Sequence, residues 1–82
     1  MTPAQARMIE QLHQFVIGYA RAGKTRRQFW AEFDAIAGDL GALAFSDDAS
    51  AELREQYCEV LANADDAGFA APEDQLDEVM EG

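Results

Sequence analysis

The stretch that organises this chain reads Thr25-Arg-Arg-Gln-Phe-Trp-Ala-Glu-Phe-Asp-Ala-Ile-Ala-Gly-Asp-Leu40. Its apolar residues recur at steps of three and four, which places them on one face of an α-helix; they are Phe29, Phe33, Ile36, Ala37 and Leu40. Thr25 and Gln28 have the spacing of a capping box, in which each side chain satisfies a free backbone N–H group. Gly41 is expected to end this helix. We expect a helix here, with the other helices packed on its aromatic face.

Two further helical segments flank this stretch. Thr2 and Pro3 are the residue types favoured at the N-cap and at the first helical position, and Gly23 is a suitable C-cap. The apolar stripe between them consists of Ile9, Leu12, Phe15, Val16 and Tyr19. On the other side, Ser46 or Ser50 is expected to cap a third helix. The apolar side of that helix consists of Leu53, Tyr57, Val60, Leu61 and Ala64.

Shorter segments join and close these helices. The connector Gly41–Phe45 is expected to place Leu43 and Phe45 in the core, and Phe69 is expected to plug it. Pro72 is expected to begin a short fourth helix. Leu76, Val79 and Met80 of that helix can dock on the core. The sequence thus predicts an all-α fold: a single domain over residues 1–82, built as a bundle of three long helices plus a short C-terminal helix.

Composition narrows the class of protein. The chain has 82 residues, of which 49% are hydrophobic, enough for one small domain with its own core. One Cys cannot form an internal disulfide, which suits a reducing compartment, and Cys58 is expected to be a small buried side chain. The apolar runs are too short to span a membrane, and the N-terminus lacks a signal-peptide pattern. We expect a soluble cytoplasmic protein.

Charge is the most uneven property of the sequence. Residues 1–30 carry five Lys or Arg against one Glu, a net charge of +4. Residues 31–82 carry fifteen Asp or Glu against one Arg, a net charge of −14. Such a field repels nucleic acid and anionic lipid and attracts a basic protein partner. The alternative is that the acidity serves only solubility.

The acids form a pattern on the third helix. Asp48, Glu52, Glu55 and Glu59 step by four, three and four, which puts them on one face, opposite the apolar side. Like charges at this spacing cost roughly 0.2–0.5 kcal/mol per pair, so a stripe without neutralising neighbours favours a cationic partner over a merely solvated face. The proposed partner-binding residues are these four together with Asp65, Asp66 and Asp74. The basic residues Arg21, Lys24, Arg26 and Arg27 form a second candidate surface, which would permit weak homodimerisation.

Motifs for other chemistry are present only in fragments. Gly18–Thr25 matches the phosphate-binding pattern G-x-x-x-x-G-K-[ST], but residues 19–22 suit a continuing helix rather than a loop after a strand. The spacing of a calcium-binding loop is matched in part by Asn63, Asp65, Ala67, Gly68 and Asp74. Ala67 stands at a position that needs a side-chain ligand, so the match is incomplete. His13 and Cys58 are single residues without further metal ligands at a readable spacing. We expect no catalytic activity, no cofactor and no metal.

Part of the chain resembles the bacteriocin immunity proteins of the colicin D type. The similar residues are Leu12-His-Gln-Phe-Val16, Gly23-Lys-Thr25 and Gln28-Phe29-Trp-Ala-Glu-Phe33, where that family has a helix, a short Ser/Thr turn and an E/Q-F-x-x-x-F helix. Members of that family are helical bundles that inhibit a toxic RNase domain through acidic side chains, which stand in for the RNA backbone. The resemblance implies the same role for Glu52, Glu55, Glu59, Asp65 and Asp66.

Two other classes of protein compete with this interpretation. A phage-encoded inhibitor, such as an anti-CRISPR protein, would use the same carboxylate-for-phosphate chemistry. Acyl carrier proteins are also small, acidic and helical, and Ala67-Gly-Phe-Ala-Ala-Pro-Glu-Asp74 loosely resembles their third-loop region. A carrier needs Asp-Ser-Leu at the start of a helix, whereas Ser46 and Ser50 lie in different contexts. The sequence therefore favours an inhibitor of a basic nucleic-acid-processing partner.

Overall fold

Four α-helices and one 3₁₀ turn make up the fold in the computed structural model, which describes residues 1–81. Helix α1 spans Pro3–Gly18, α2 spans Arg26–Ala37, α3 spans Leu40–Ala44 and α4 spans Ala51–Asp66, and the 3₁₀ turn spans Glu73–Gln75. No strand occurs within residues 1–81, so the prediction of an all-α fold is confirmed. The finer description differs, because α3 is an additional short helix and the C-terminal segment forms a turn rather than a helix.

The three longer helices begin at polar caps. Thr2 and Thr25 each accept a hydrogen bond from the backbone N–H three residues on, and Gln5 and Gln28 complete the two capping boxes. Ser50, one of the two predicted caps, accepts from the N–H of Leu53 at the start of α4. These bonds satisfy amides that a helix otherwise leaves free, and thereby define where each helix starts.

The core is an aromatic cluster assembled on α2. The rings of Phe29 and Phe69 stack with centroids 3.8 Å apart, and Phe29 also contacts Phe15 and Tyr19 at 5.2 and 5.1 Å. The fully buried side chains include Phe29, Phe33, Phe69, Leu12, Leu40 and Val60. Aromatic pairs of this geometry stabilise a small core beyond the area they bury. The predicted Phe69 plug is confirmed, and the aromatic residues of α2 are central to the core. The helix that packs against both α2 and α4 is α1, however, so the expectation that the other helices pack on α2 is only partly met.

Helix α1 is shorter than expected. The sequence predicts an end near Gly23, but α1 ends at Gly18 and Tyr19 has an extended backbone. The tyrosine leaves the helix to pack its ring edge-on against Phe29 and Phe69, and its hydroxyl donates to Glu32 at 2.6 Å. Tertiary contacts of the aromatic ring therefore outweigh the high helix propensity of Ala20, Arg21 and Ala22, which follow it.

The connector after α2 also differs from its prediction. Gly38 adopts φ 56°, a conformation that glycine reaches without strain, and so ends α2. The chain then forms α3, which buries Leu40 and Ala44 but leaves Leu43 and Phe45 49% and 53% exposed. The expectation that these two side chains enter the core is wrong, because α3 directs them away from it.

The C-terminal segment lies along the α1–α2 loop and does not form the short C-terminal helix that the sequence predicts. Its backbone bonds to that loop, with Met80 N–H donating to Lys24 O at 2.7 Å and Arg27 N–H donating to Leu76 O at 3.0 Å. Met80 is buried and Leu76 half-buried, as predicted for docking residues, whereas Val79 pairs by backbone with Thr25 and is 64% exposed. Hydrogen bonding to the loop thus replaces helical hydrogen bonding in this segment.

Candidate interaction surface on helix α4

Three glutamates form a row along the solvent side of α4. Glu52, Glu55 and Glu59 are exposed, and their spacing of three and four residues puts them on one helical face. The buried residues Leu53, Tyr57, Val60 and Ala64 occupy the opposite face. At a rise of about 1.5 Å per residue, the three carboxylates span roughly 10 Å. We call Glu52, Glu55 and Glu59 the acidic ridge.

Cations of the chain do not neutralise the acidic ridge. Within residues 1–81 the only ion pairs join Arg27 to Glu73 and to Asp77. Arg54, on the same helix, donates instead to the carbonyl oxygens of Ala44 and Ser46, each at 3.3 Å. The ridge therefore presents its negative charge to solvent.

The other predicted partner-binding acids do not continue this row. Asp48 precedes the helix, which begins at Ala51, so its predicted place on the helical face is wrong. Asp65 and Asp66 lie in the last turn of α4; Asp66 falls on the side of the ridge, whereas Asp65 is turned away from it by the 100° helical step. Asp74 is exposed in the 3₁₀ turn, in the segment that docks on the α1–α2 loop. The structure brings together three of the seven residues, with Asp66 on the same side.

Most cations of the predicted basic surface are already engaged within the molecule. Arg21 Nη1 donates to Ala67 O and Arg26 Nε donates to Gly68 O, both at 2.7 Å. These carbonyls lie at the C-terminal end of α4, where the helix dipole favours positive charge. The side chains of Arg21 and Arg26 therefore cap the turn that closes α4, a role that the sequence did not indicate because the partners are more than 40 residues away.

The remaining basic residues contact their neighbours. Arg27 Nε donates to Asp77 Oδ1 at 2.7 Å and its Nη2 donates to Glu73 Oε1 at 2.9 Å, and these bonds raise the pKa of the guanidinium above its ordinary value. Lys24 Nζ lies 5.1 Å from the ring centroid of Tyr19. The uneven charge of the sequence indicates the ion pairs of Arg27, because opposite charges at the two ends of the chain favour an internal contact.

The phosphate-binding pattern has no phosphate-binding geometry. Gly18 ends a helix rather than following a strand. The amides that would wrap a phosphate are engaged, since Gly23 N–H donates to Met80 O, Lys24 N–H to Arg21 O, and Thr25 N–H to Gln28 Oε1. The interpretation of this match as coincidental is therefore supported, although residues 19–22 do not continue α1 as expected.

The candidate metal-ligating residues are separated. Asn63 and Asp65 belong to α4, so they cannot form the start of a calcium loop. His13 Nδ1 lies 3.3 Å from Asn63 Nδ2 and joins α1 to α4. Cys58 is exposed on α4, so the expectation of a buried thiol is wrong. Among residues 1–81 no three His, Cys, Asp or Glu side chains converge on one point.

Comparison with known proteins yields no assignment. No protein-family model, curated protein or solved structure shows significant similarity to the chain. Over the described part of the chain, each helix falls short of the length and apolar character that crossing a bilayer requires.

Proposed function

We propose that this protein is a non-catalytic acidic binding protein that inhibits a basic, nucleic-acid-processing partner. The acidic ridge would occupy the surface where the partner binds a phosphate backbone. The observation that carries the proposal is that Glu52, Glu55 and Glu59 are exposed on one helical face and form no ion pair within residues 1–81, whereas Arg21, Arg26 and Arg27 bond elsewhere.

Energetics support a partner over solubility alone. Like charges spaced by three or four residues destabilise a helix by roughly 0.2–0.5 kcal/mol per pair. A soluble surface avoids this cost by mixing Lys and Arg among the acids. Here the one nearby cation, Arg54, donates to the carbonyl oxygens of Ala44, at the end of α3, and Ser46, in the α3–α4 connector. A partner that supplies the missing positive charge would relieve the repulsion.

The same arrangement argues against self-association through opposite charges. Arg21, Arg26 and Arg27 already contact carbonyls or carboxylates of their own chain. A second copy would have to break those bonds before it could meet the acidic ridge with these residues. A separate basic protein is therefore the better partner.

The proposal is tested by comparing two variants of equal charge. The first replaces the ridge, Glu52→Gln, Glu55→Gln and Glu59→Gln. The second removes the same charge from exposed acids on other elements, Glu10→Gln, Asp34→Asn and Asp39→Asn. Wild type and both variants are used as bait in an extract of the source cell, and captured proteins are identified by mass spectrometry.

We expect wild type and the second variant to capture the same basic nucleic-acid-binding protein, and the ridge variant to lose it. Added RNA or DNA and raised salt should release the captured protein, because both compete for the same cations. Equal capture by all three proteins, or capture that nucleic acid does not reverse, would overturn the proposal.

The identity of the captured protein then separates the two kinds of inhibitor. A toxin nuclease would assign the chain to immunity proteins, and a CRISPR effector would assign it to phage inhibitors. Mass spectrometry of the intact protein tests the less favoured carrier function, because a carrier protein isolated from its host has the added mass of a phosphopantetheine group.

A further inference from the structure

A groove of about 270 Å³ opens where α1, α3 and α4 meet. Its apolar lining is provided by Met1, Leu43, Ala49 and Leu53. Of the five large hydrophobic side chains exposed in residues 1–81, Met1 and Leu43 line the groove and Phe45 lies in the connector that borders it. Apolar surface is thus concentrated at this end of the molecule.

The polar lining of the groove leaves one group without a partner. Thr2 and Gln5 bond to each other in the capping box of α1. Ser46 Oγ donates to Leu43 O, and Ser50 Oγ accepts from Leu53 N–H. Asp48 is the one charged residue of the lining; it is exposed, and neither ion pair of residues 1–81 includes it.

The charge at the rim selects the kind of molecule that fits. Asp48 lies two residues before Ser50, the N-cap of α4, near the positive end of the helix dipole. Glu52, the first residue of the acidic ridge, lies in the first turn of the same helix. Glu52 lies outside the lining, so an apolar side chain in this groove would lie beside the single carboxylate of Asp48, which favours a cationic neighbour.

We propose that the groove anchors an apolar side chain of the basic partner, with Lys or Arg beside it in the partner's sequence. The aliphatic group packs on Leu43 and Leu53, while the adjacent cations meet Asp48 and Glu52. This inference rests on the proposed function and extends it, because it adds an apolar contact that distinguishes a protein partner from a simple polycation.

The test uses three short synthetic peptides carrying a fluorescent dye. In the first, leucine is flanked by lysines; in the second, serine replaces leucine; in the third, glutamate replaces lysine. Affinities are measured by fluorescence anisotropy, and backbone amide shifts of the protein are followed by NMR. Leu43→Ser is the groove variant, and Ile17→Ser, at an aliphatic residue 77% exposed on α1, is the matched control.

We expect the lysine–leucine peptide to bind most tightly and to shift the amides of Leu43, Ala49 and Leu53. Leu43→Ser should weaken that peptide roughly threefold to tenfold, the effect of losing part of a buried aliphatic contact. The lysine–serine peptide should be unaffected by Leu43→Ser, and Ile17→Ser should affect neither peptide. NMR spectra of both variants verify that the fold is kept.

Several outcomes would overturn the inference. Equal binding of the lysine–leucine and lysine–serine peptides would do so. If the triple Gln variant of the ridge then abolished the binding of both peptides, the proposed function would survive without the groove. Equal binding of the glutamate–leucine peptide would show that carboxylates do not select the occupant. Groove shifts that depend on protein concentration without peptide would identify a second copy of the chain as the occupant.

Discussion

Phe69 joins distant parts of the chain through three kinds of contact. Its ring stacks on Phe29, the guanidinium carbon of Arg21 lies 4.7 Å from its centroid, and its carbonyl accepts a hydrogen bond from Trp30 Nε1 at 2.9 Å. The side chain is fully buried. A single residue, Phe69, therefore holds the start of the C-terminal segment, α2 and the α1–α2 loop together.

Replacing Phe69 with alanine should destabilise the protein severely. Truncating a buried phenylalanine costs about 3–5 kcal/mol, a large share of the stability of a small domain. Urea denaturation monitored by circular dichroism measures the loss. Phe45→Ala, at a phenylalanine 53% exposed, is the control and should cost much less. Similar losses for the two variants would contradict the role assigned to Phe69.

Tyr19 should titrate at unusually high pH. Burial, followed by the hydrogen bond and negative charge of Glu32, raises its pKa from 10.0 to about 12. Because the folded-state pKa is the higher one, the protonated hydroxyl stabilises the fold fully below pH 10, and this stabilisation is lost as the pH approaches 12.

Ultraviolet difference absorbance during a pH titration measures this behaviour. The pKa of Tyr57 is also raised, mainly by burial, so Tyr19→Phe is needed to assign the two transitions. Glu32→Gln should lower the pKa of Tyr19 and leave that of Tyr57 unchanged. A titration of Tyr19 that is indifferent to Glu32→Gln would exclude the carboxylate as a cause.

Residues from elsewhere in the chain hold the end of α4. Ser50 caps its start, and the turn that closes it accepts hydrogen bonds from Arg21, in the loop between α1 and α2, and from Arg26, the first residue of α2. Backbone amides of the following turn bond the last helical carbonyls, whereas the carbonyls of Ala67 and Gly68 accept from charged side chains, which are stronger donors than neutral groups. The stability of α4 is therefore coupled to the conformation of this loop.

Arg26→Gln should weaken that coupling. Hydrogen bonds to charged groups contribute about 1.5–3 kcal/mol, so we expect a fall in the free energy of unfolding of roughly that size. Thermal unfolding and hydrogen exchange at the end of α4 report it. Arg7→Gln, at an exposed arginine of α1, is the control and should change little. Equal effects of the two substitutions would refute the capping role.

What the sequence could predict follows from the range of the forces involved. The capping boxes and the apolar stripes are local patterns, so Thr25 and the face around Phe29 and Phe33 were identified correctly, and Ser50 was one of two candidate caps. Tyr19 left its helix because of Phe29, Phe69 and Glu32, partners that no local window contains.

The candidate site was predictable to the same extent. The acidic ridge is a periodic feature of one helix and could be read directly from the sequence. Asp48 was misplaced because a helix boundary had to be chosen between Ser46 and Ser50. The caps supplied by Arg21 and Arg26 required knowledge of which chain segments meet, and only the structure provides it.

Across the whole molecule, opposite charges at the two ends of the sequence are brought together. Glu73 and Asp77 of the acidic C-terminal segment form ion pairs with Arg27, in the first turn of α2, and these ion pairs are exposed. Exposed pairs are weak and screened by salt, so the backbone bonds of Met80 must contribute to the contact.

Raising the salt concentration should loosen this segment selectively. We expect faster hydrogen exchange at the Met80 amide, with little change at amides in the middle of α1, because salt screens the contacts of Arg27. Arg27→Gln should show fast exchange at low salt and lose the salt dependence. A salt response that persists in this variant would show that other charges hold the segment.

Cys58 gives the molecule a built-in attachment point. It is the only thiol in the chain and is exposed on α4, beside the acidic ridge rather than within it. A thiol-reactive photo-crosslinker placed there would trap whatever approaches that helix without any engineered substitution. The same thiol carries a practical hazard, because air oxidation could tether two molecules through α4 and make a preparation inactive in pull-down assays, so samples should be handled with reductant.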